Sequence, residues 1–173
     1  MKFYSGFSLQ NVSHFFDSFI LKSDYCVCGF SYGAIKALQV VKEQLVNGHR
    51  IDTLQLFSPA FFQTKTQKFK RVQTLAYIKN KDAYLEQFIG ACFLPYKSSE
   101  VSYKETFAYE LEELLEYKWL LSDLAWLRHK GVKIEVYLGG EDQIIDVNAA
   151  REFFLTTATV TYIKNANHFL QTK

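Results

Sequence analysis

Short apolar segments of strand length alternate with longer amphipathic segments towards both ends of the chain. Five short segments are rich in apolar, β-branched and aromatic residues: Lys2–Tyr4, Tyr25–Cys28, Thr53–Phe57, Lys133–Leu138 and Thr159–Ile163. Each has the length and composition of a strand. The hydrophobic pattern therefore predicts five strands, with no signal for an antiparallel hairpin.

Helical periodicity fills most of the gaps between these strands. Amphipathic helices are predicted around Asn11–Leu21, from Tyr32 to about Val46, and over Val147–Phe154. Strands that alternate with helices imply right-handed crossovers and a parallel sheet that is covered on both faces. The chain is therefore predicted to fold as one α/β domain over residues 1–173.

The alternation stops in the middle of the chain, over residues 60–130. Helical patterns there cover Lys65–Asn80, Asp82–Phe93 and Lys104–His129, the last of them broken near Leu120. A helical block inserted between two strands of a parallel sheet lies near the edge where the functional loops converge. The block is therefore predicted to form a lid, whose many aromatic residues supply its core and line part of an apolar acyl channel.

The most specific motif is Gly29-Phe30-Ser31-Tyr32-Gly33, which reads Gly-x-Ser-x-Gly between a predicted strand and a predicted helix. This is the setting of a nucleophile elbow, in which a serine lies on a sharp turn after a strand. Larger side chains in place of the two glycines would collide with the adjoining strand and helix. Serine is also a common helix N-cap, but that alternative leaves the paired glycines unexplained.

Two later segments supply the partners that a serine nucleophile requires. Asp142 follows the strand Lys133–Leu138, and His168 follows the strand Thr159–Ile163. Nucleophile, acid and base occur in the order Ser31, Asp142, His168, which is the order of an α/β-hydrolase catalytic triad. Because loops at the carboxyl ends of parallel strands converge, these three side chains are expected to meet.

Both partners have competitors of similar chemistry. Glu141 and Asp146 lie close to Asp142, but Asp146 directly precedes a predicted helix and has the position of its N-cap. Asp142 is the better orienting acid because it falls in the loop directly after the strand. The remaining histidines are predicted to be solvated or capping residues: His14, His49 and His129.

Composition is that of one domain able to bury its own core, with 173 residues of which 49% are hydrophobic. A net charge of +2 gives no general affinity for nucleic acid or membranes. Met1–Gly6 lacks a signal peptide's apolar core and no apolar run could span a bilayer, so a cytoplasmic location is expected. The three cysteines form no disulfide framework, and neither a metal site nor a cofactor is predicted.

Beyond the triad, two segments resemble one subgroup of the α/β-hydrolases. Glu116–Arg128 followed by Val132–Asp142 resembles the lid exit of the pimeloyl-[acyl-carrier protein] methyl ester esterases of biotin synthesis. Phe3–Leu9 resembles the start of their short bacterial variety. Typical members carry strands before the oxyanion loop and another between that loop and the elbow. The resemblance therefore implies a trimmed sheet in this chain.

The resemblance also implies a serine carboxylesterase that needs no cofactor. It places the oxyanion hole at the main-chain N–H groups of Phe7 and Tyr32, with Ser5-Gly6 where the family has His-Gly. A main-chain N–H does not depend on the side chain, so the hole can survive this change. Two alternatives remain: a general short-chain carboxylesterase or thioesterase, and a non-catalytic module that binds an acyl carrier.

A run of basic residues in the predicted lid is a candidate docking site for a partner protein. The resembling esterases dock acidic acyl-carrier proteins on basic lid residues, which implies an acyl-carrier protein as the substrate's carrier. The alternative is an ordinary solvated helix face, which is also the interpretation for the acidic residues between Glu110 and Glu116. The sequence carries no signal for an oligomeric state. The candidate docking residues are Lys65, Lys68, Lys70, Arg71 and Lys79.

Overall fold

Seven strands, six α-helices and one 3-10 helix make up the computed structural model, which describes residues 1–173. All five predicted strands are present. In chain order the elements are β1 (Lys2–Tyr4), β2 (Leu9–Gln10), the 3-10 helix (Ser13–Phe16), β3 (Cys26–Phe30), α1 (Tyr32–Val46), β4 (Thr53–Phe57), α2 (Gln67–Lys79), α3 (Lys81–Phe93), β5 (Ser102–Tyr103), α4 (Ala108–Glu116), α5 (Leu121–His129), β6 (Lys133–Gly139), α6 (Val147–Leu155) and β7 (Thr159–Ile163).

The five predicted strands form one sheet in the order β1-β3-β4-β6-β7, and every neighbouring pair is parallel. The predicted fold class, a parallel sheet of about five strands flanked by helices, is confirmed. The carboxyl ends of all five strands lie at the same edge of the sheet, so the loops that follow them can meet there.

The two faces of the sheet are covered in different ways. On one face, Val27, Leu56 and Val136 are buried in a cluster with residues of α1, α5 and α6. On the other face, Ile89, Cys92 and Phe93 at the end of α3 belong to a second buried cluster with strand residues such as Cys28 and Phe30. The 3-10 helix also packs there, where the ring of Phe16 lies 4.9 Å from that of Phe30 and 4.8 Å from that of Phe57.

The helix predicted around Asn11–Leu21 is wrong, since only the 3-10 helix forms there. Three of its apolar residues are nevertheless buried: Val12, Phe16 and Ile20. The side chain of Gln55, in the middle of β4, donates to the carbonyl of Phe19 at 3.0 Å and accepts from the N–H of Leu21 at 2.9 Å. These bonds satisfy two main-chain groups near the end of the segment and hold it against the sheet.

The inserted block contains helices α2, α3 and α4, which lie over the carboxyl edge of the sheet. Phe88 of α3, for example, packs edge-on against Phe7, in the loop after β1, at 6.2 Å between ring centroids. The predicted break near Leu120 is present, but the helix beyond it, α5, packs on β6 with Leu124 and Leu127 buried. None of the helices combines the length and the hydropathy that a bilayer crossing requires.

A second, two-stranded sheet was not foreseen. Strand β2 pairs antiparallel with β5, with Leu9 beside Tyr103 and Gln10 beside Ser102. It is not a hairpin, because β3, β4 and two lid helices separate the two strands in the chain. The pairing ties the lid to the segment that directly follows the loop after β1.

Candidate active site

Ser31 lies on a strained turn between β3 and α1. Its backbone angles are φ 53° and ψ −117°, in a region that residues with a β-carbon rarely occupy. Main-chain bonds fix the turn: the Ser31 N–H donates to the carbonyl of Phe57 at 3.0 Å, and its own carbonyl accepts from Ala34 and Ala60. The Ser31 hydroxyl makes no N-cap hydrogen bond, so the capping alternative does not account for this residue.

The glycines on either side of Ser31 are required by close packing. A β-carbon on Gly33 would overlap the carbonyl oxygens of Tyr4 and Ser5, and one on Gly29 would overlap the backbone of Gly33 and Ala34. The steric reason expected from the sequence is therefore present. The turn can exist only because no side chain stands at these two positions.

Asp142 and His168 form a buried pair at the same edge. The loop after β6 carries Asp142 and the loop after β7 carries His168, and the side chains of both are fully buried. The Nδ1–H of His168 donates to Oδ2 of Asp142 at 2.6 Å, because a carboxylate can only accept. The other carboxylate oxygen accepts from the N–H groups of Ile144 at 2.8 Å and Ile145 at 3.4 Å. The carboxylate is thus held in place from both sides.

Nε2 of His168 is buried and has no hydrogen-bond partner. With Nδ1 carrying the proton, Nε2 is the free acceptor of the ring. The imidazole lies 5.0 Å from the ring of Phe30, the residue before Ser31, so it lies next to the elbow. The structure thus leaves a free proton acceptor on His168 at the edge of the sheet that carries Ser31, and no hydrogen bond joins the two side chains.

The competing residues lie elsewhere or have other partners. Asp146 caps α6, where its Oδ1 accepts from the N–H of Ala149 at 3.1 Å, as its position before the helix suggested. Glu141 is exposed. His14, His49 and His129 are all exposed as well. No group of three or more His, Cys, Asp or Glu side chains is arranged as a metal site.

The loop after β1 brings the expected second oxyanion donor to Ser31. A β-carbon added to Gly6 would lie 3.4 Å from the Ser31 β-carbon, so the loop lies directly against the elbow. Phe7 is 1% exposed, and its N–H donates to no acceptor in the protein. A buried N–H without an acceptor is rare, and this one remains free to donate to a substrate oxygen. The N–H of Tyr32 opens α1, where no earlier helical carbonyl is available to it.

A small apolar cavity of about 260 Å³ lies between the lid and the loop that carries Asp142. Phe88 lines it and also packs against Phe7, so the cavity adjoins the oxyanion loop. None of its lining residues is charged. The lining comprises Phe62, Phe69, Gln73, Tyr84, Gln87, Phe88, Ala91, Leu111, Leu114, Leu115, Gln143 and Ile144.

The basic residues on α2 and just before it differ in exposure and in the groups they contact. Lys68, Arg71 and Lys79 are exposed, and Lys65 is half-buried with its Nζ 5.5 Å from the ring centroid of Phe69. Lys70 is only 4% exposed, and its Nζ lies 3.1 Å from Glu116 Oε2. The expectation that Lys70 offers its charge to a partner is therefore wrong, because the lid itself uses that charge.

Glu113 was interpreted from the sequence as solvated surface, but it contacts the elbow helix. It accepts from the phenol of Tyr32 at 2.5 Å and from Lys36 Nζ at 3.0 and 2.8 Å. Burial alone would raise the pKa of Glu113, but the hydrogen bonds from Lys36 and Tyr32 bring it below its usual value, so Glu113 is ionised. No single-sequence signal pairs residues so far apart in the chain.

Comparison with known proteins identifies a fold rather than a family. No protein-family model and no curated protein matches the chain. Among solved structures, it resembles an N-acyl homoserine lactone degrading enzyme with TM-score 0.62 and 12% identity, over 98% of this chain and 86% of that one. It resembles BioG from Haemophilus influenzae with TM-score 0.56 and 10% identity, over 97% of this chain and 87% of BioG. It also resembles an esterase from Exiguobacterium antarcticum with TM-score 0.57 and 16% identity, over 79% of this chain and 56% of that one.

The chain spans about half the length of two of the longer neighbours, 56% of the Exiguobacterium esterase and 54% of a Bacillus subtilis protein. It covers most of the two shorter ones. All of these proteins are less than 20% identical to it, so the likeness is one of architecture. With its parallel sheet and a serine, an acid and a histidine after β3, β6 and β7, the chain has the α/β-hydrolase fold.

Proposed function

We propose that this protein is a serine carboxylic ester hydrolase that removes the methyl group from a dicarboxylate monomethyl ester carried on an acyl-carrier protein, such as pimeloyl-[acyl-carrier protein] methyl ester in biotin synthesis. One observation carries the hydrolase assignment. The buried Asp142–His168 pair leaves Nε2 without a partner, at the same edge of the sheet as a serine that is held at positive φ. Such an arrangement is costly for stability and useful for nucleophilic catalysis.

The chemistry follows from the positions of these groups. Ser31 Oγ attacks the ester carbonyl carbon while Nε2 of His168 accepts its proton, and Asp142 stabilises the imidazolium that forms. The N–H groups of Phe7 and Tyr32 donate to the oxyanion of the tetrahedral intermediate. The imidazolium then protonates the departing methoxide, and methanol leaves an acyl-enzyme. Water, giving its proton to Nε2, attacks the acyl carbon, and the free carboxylate leaves as Ser31 regains its hydrogen.

The cavity supports an uncharged, apolar acyl group. At about 260 Å³ it lies just below the ~300–1,000 Å³ range of drug-sized sites, which suits a short unbranched chain. It has no cation to pair with a carboxylate, and a buried unpaired charge is unfavourable. A neutral hydrocarbon chain therefore fits such a lining better than a charged one. Esterases among the structural neighbours are consistent with this substrate class.

The surface of α2 supports the carrier as partner. Lys68, Arg71 and Lys79 share the helix with apolar residues that are more than half exposed, Leu75 at 54% and Ile78 at 63%. An exposed apolar strip bordered by positive charge complements an acidic protein that presents apolar side chains. Phe69 on the same helix lines the cavity, so a carrier bound there would hold its acyl chain close to the entrance.

Incubation with pimeloyl-acyl-carrier protein methyl ester, followed by intact-protein mass spectrometry, tests the proposed function. We expect the carrier to lose the mass of one methylene, as methyl ester becomes acid, while the thioester to the carrier survives. The control omits enzyme. Cleavage of the thioester would assign a thioesterase instead. Hydrolysis of p-nitrophenyl butyrate without any loss from the carrier would leave a general carboxylesterase and contradict the proposed substrate.

Charge reversal on α2 tests the docking surface. The triple variant K68E/R71E/K79E should raise KM for the carrier-linked ester by roughly tenfold and leave p-nitrophenyl butyrate unaffected, because rim charges mainly steer association. The defect should shrink as salt rises. Lys70 stays unchanged because it is buried.

The matched control is K22E/R128E/K130E, which makes the same change in net charge at exposed residues near the amino ends of the strands. An equal rise in KM for the carrier-linked ester in the two triple variants would mean that net charge, not the α2 surface, governs association with the carrier. Slower hydrolysis of both substrates by the α2 variant would indicate a disturbed lid.

A further inference from the structure

Tyr32, whose N–H is the first oxyanion donor, is attached to the lid through its side chain. Its phenol donates to Glu113 of α4, and Lys36, one turn further along α1, binds both oxygens of the same carboxylate. The Lys36 ammonium also lies 4.8 Å from the Tyr32 ring centroid. Burial and the nearby Glu113 carboxylate raise the pKa of Tyr32, so its hydroxyl stays protonated and remains the donor. The start of the elbow helix is therefore fixed from the lid side.

The second donor is attached to the lid through its neighbour Ser8. The hydroxyl of Ser8 pairs with that of Thr106, and both residues are almost completely buried. The Ser8 carbonyl accepts from the N–H of Lys104 at 2.9 Å, and the β2–β5 pairing continues directly from this contact. Ser8 has a φ of 58°, so the loop that presents Phe7 N–H is itself held in an uncommon conformation.

Thr106 is anchored by the other two lid helices. Its carbonyl accepts from the Tyr77 hydroxyl of α2 and from Lys81 Nζ of α3, both at 2.7 Å. Tyr77 also packs against Phe7 at 5.9 Å between ring centroids. The contact that holds the oxyanion loop therefore depends on α2 and α3, just as the contact on Tyr32 depends on α4.

The position of β1 in the sheet explains why the lid supports the oxyanion loop. β1 is an edge strand, so no further strand lies beyond it to support the loop that follows. The only long-range polar partners of the loop side chains and of β2 come from residues 102–106 in the lid. In this short sheet, the inserted lid supplies the support that additional strands could otherwise give.

We propose that Thr106 and Glu113 are positioning residues that hold the two N–H donors of the oxyanion hole, Thr106 through Ser8 and Glu113 through Tyr32. This inference rests on the proposed serine hydrolase chemistry at Ser31. Removal of a whole oxyanion donor costs about 10²–10³-fold in rate, and a displaced donor costs part of that.

The test compares Glu113→Ala and Thr106→Val with wild type on p-nitrophenyl butyrate, a substrate that needs no carrier. Active sites are counted first by stoichiometric labelling with a fluorophosphonate, so that misfolded protein does not lower the apparent rate. We expect kcat per labelled site to fall about tenfold to a hundredfold while KM changes by less than about threefold. Affinity for an arylboronic acid, which forms a tetrahedral anion on the serine, should fall in proportion to kcat/KM.

Conservative variants separate positioning from packing. Glu113→Gln still accepts from Tyr32 and Thr106→Ser keeps the hydroxyl, so both should recover most of the rate. Tyr32→Phe removes only the phenol hydroxyl and should match Glu113→Ala. The matched control is Glu112→Ala, at an exposed residue next to Glu113 that has no ion-pair or hydrogen-bond partner.

The outcomes distinguish this inference from the function on which it rests. If wild type is labelled and active but Glu113→Ala and Thr106→Val keep the wild-type rate per site, the two residues only stabilise the lid and the inference is overturned. The same conclusion follows if rate falls while boronate affinity does not change. If wild type is neither labelled nor active, the hydrolase assignment itself has failed, and the inference falls with it.

Discussion

Ser31→Ala should lower ester hydrolysis by about 10³-fold or more, because truncation of a triad nucleophile leaves only the residual catalysis of binding and the oxyanion hole. The fold should persist. Alanine keeps a β-carbon at φ 53°, so the strain of the elbow is unchanged, and the Ser31 hydroxyl caps no helix. The measurement is the initial rate on p-nitrophenyl butyrate and on the carrier-linked methyl ester, together with the melting temperature and fluorophosphonate labelling.

Ser58→Ala is the matched control for this variant. Ser58 also follows a sheet strand, β4, is fully buried and has a positive φ of 40°. Its hydroxyl has no hydrogen-bond partner, so its removal costs no polar contact. We expect wild-type labelling and a rate within about threefold of wild type. Hydrolysis that survives in Ser31→Ala but is lost in Ser58→Ala would mean that the elbow serine is not the nucleophile.

The strands and the catalytic loops could be predicted because their signals are local. The five strands are short segments rich in apolar, β-branched and aromatic residues, and the Gly-x-Ser-x-Gly motif around Ser31 lies between a strand and a helix. Parallel topology then places the loops after β3, β6 and β7 at one edge, so Ser31, Asp142 and His168 could be expected together from the sequence.

The segment Asn11–Leu21 shows where local signals stop. Its apolar positions have helical spacing, and Val12, Phe16 and Ile20 are indeed buried. Contacts with the sheet decide its conformation instead: Gln55, far along the chain, donates to the carbonyl of Phe19 and accepts from the N–H of Leu21. Tertiary contacts of this kind override propensity, and a single sequence carries no record of them.

The charged lid residues differ from the sequence prediction for a related reason. Lys70 and Glu113 each lie in charged runs that are typical of solvated helix faces, yet Lys70 is buried against Glu116 and Glu113 binds Tyr32 and Lys36. Which face of a lid helix meets the protein depends on how the helix is placed. Since α2 and α4 pack against each other, charges from both meet between them, and the run alone cannot distinguish these from the exposed ones.

Asp142→Asn should lower kcat/KM by about 10³–10⁴-fold, with little loss of stability. An asparagine can turn its amide NH2 towards His168, which makes Nδ1 the acceptor and moves the ring proton to Nε2. A protonated Nε2 cannot accept the proton of Ser31. The variant also loses the negative charge that stabilises the imidazolium. Rates on p-nitrophenyl butyrate per folded molecule, with circular dichroism as the check on folding, measure the effect.

Asp146→Asn is the control that separates chemistry from architecture. Asp146 lies four residues further along the same loop and uses one oxygen to cap α6 and the other to accept from Thr64 at 3.1 Å. Asparagine caps helices about as well as aspartate, so this variant should retain the rate within about threefold. Equal losses at both positions would mean that the loop tolerates no substitution, and the role of Asp142 would then be structural. The two carboxylates differ chiefly in their partners: Asp142 is fully buried and bonded to the imidazole at 2.6 Å, whereas Asp146 caps a helix. A loss of activity only in Asp142→Asn would therefore show that Asp142 acts through His168.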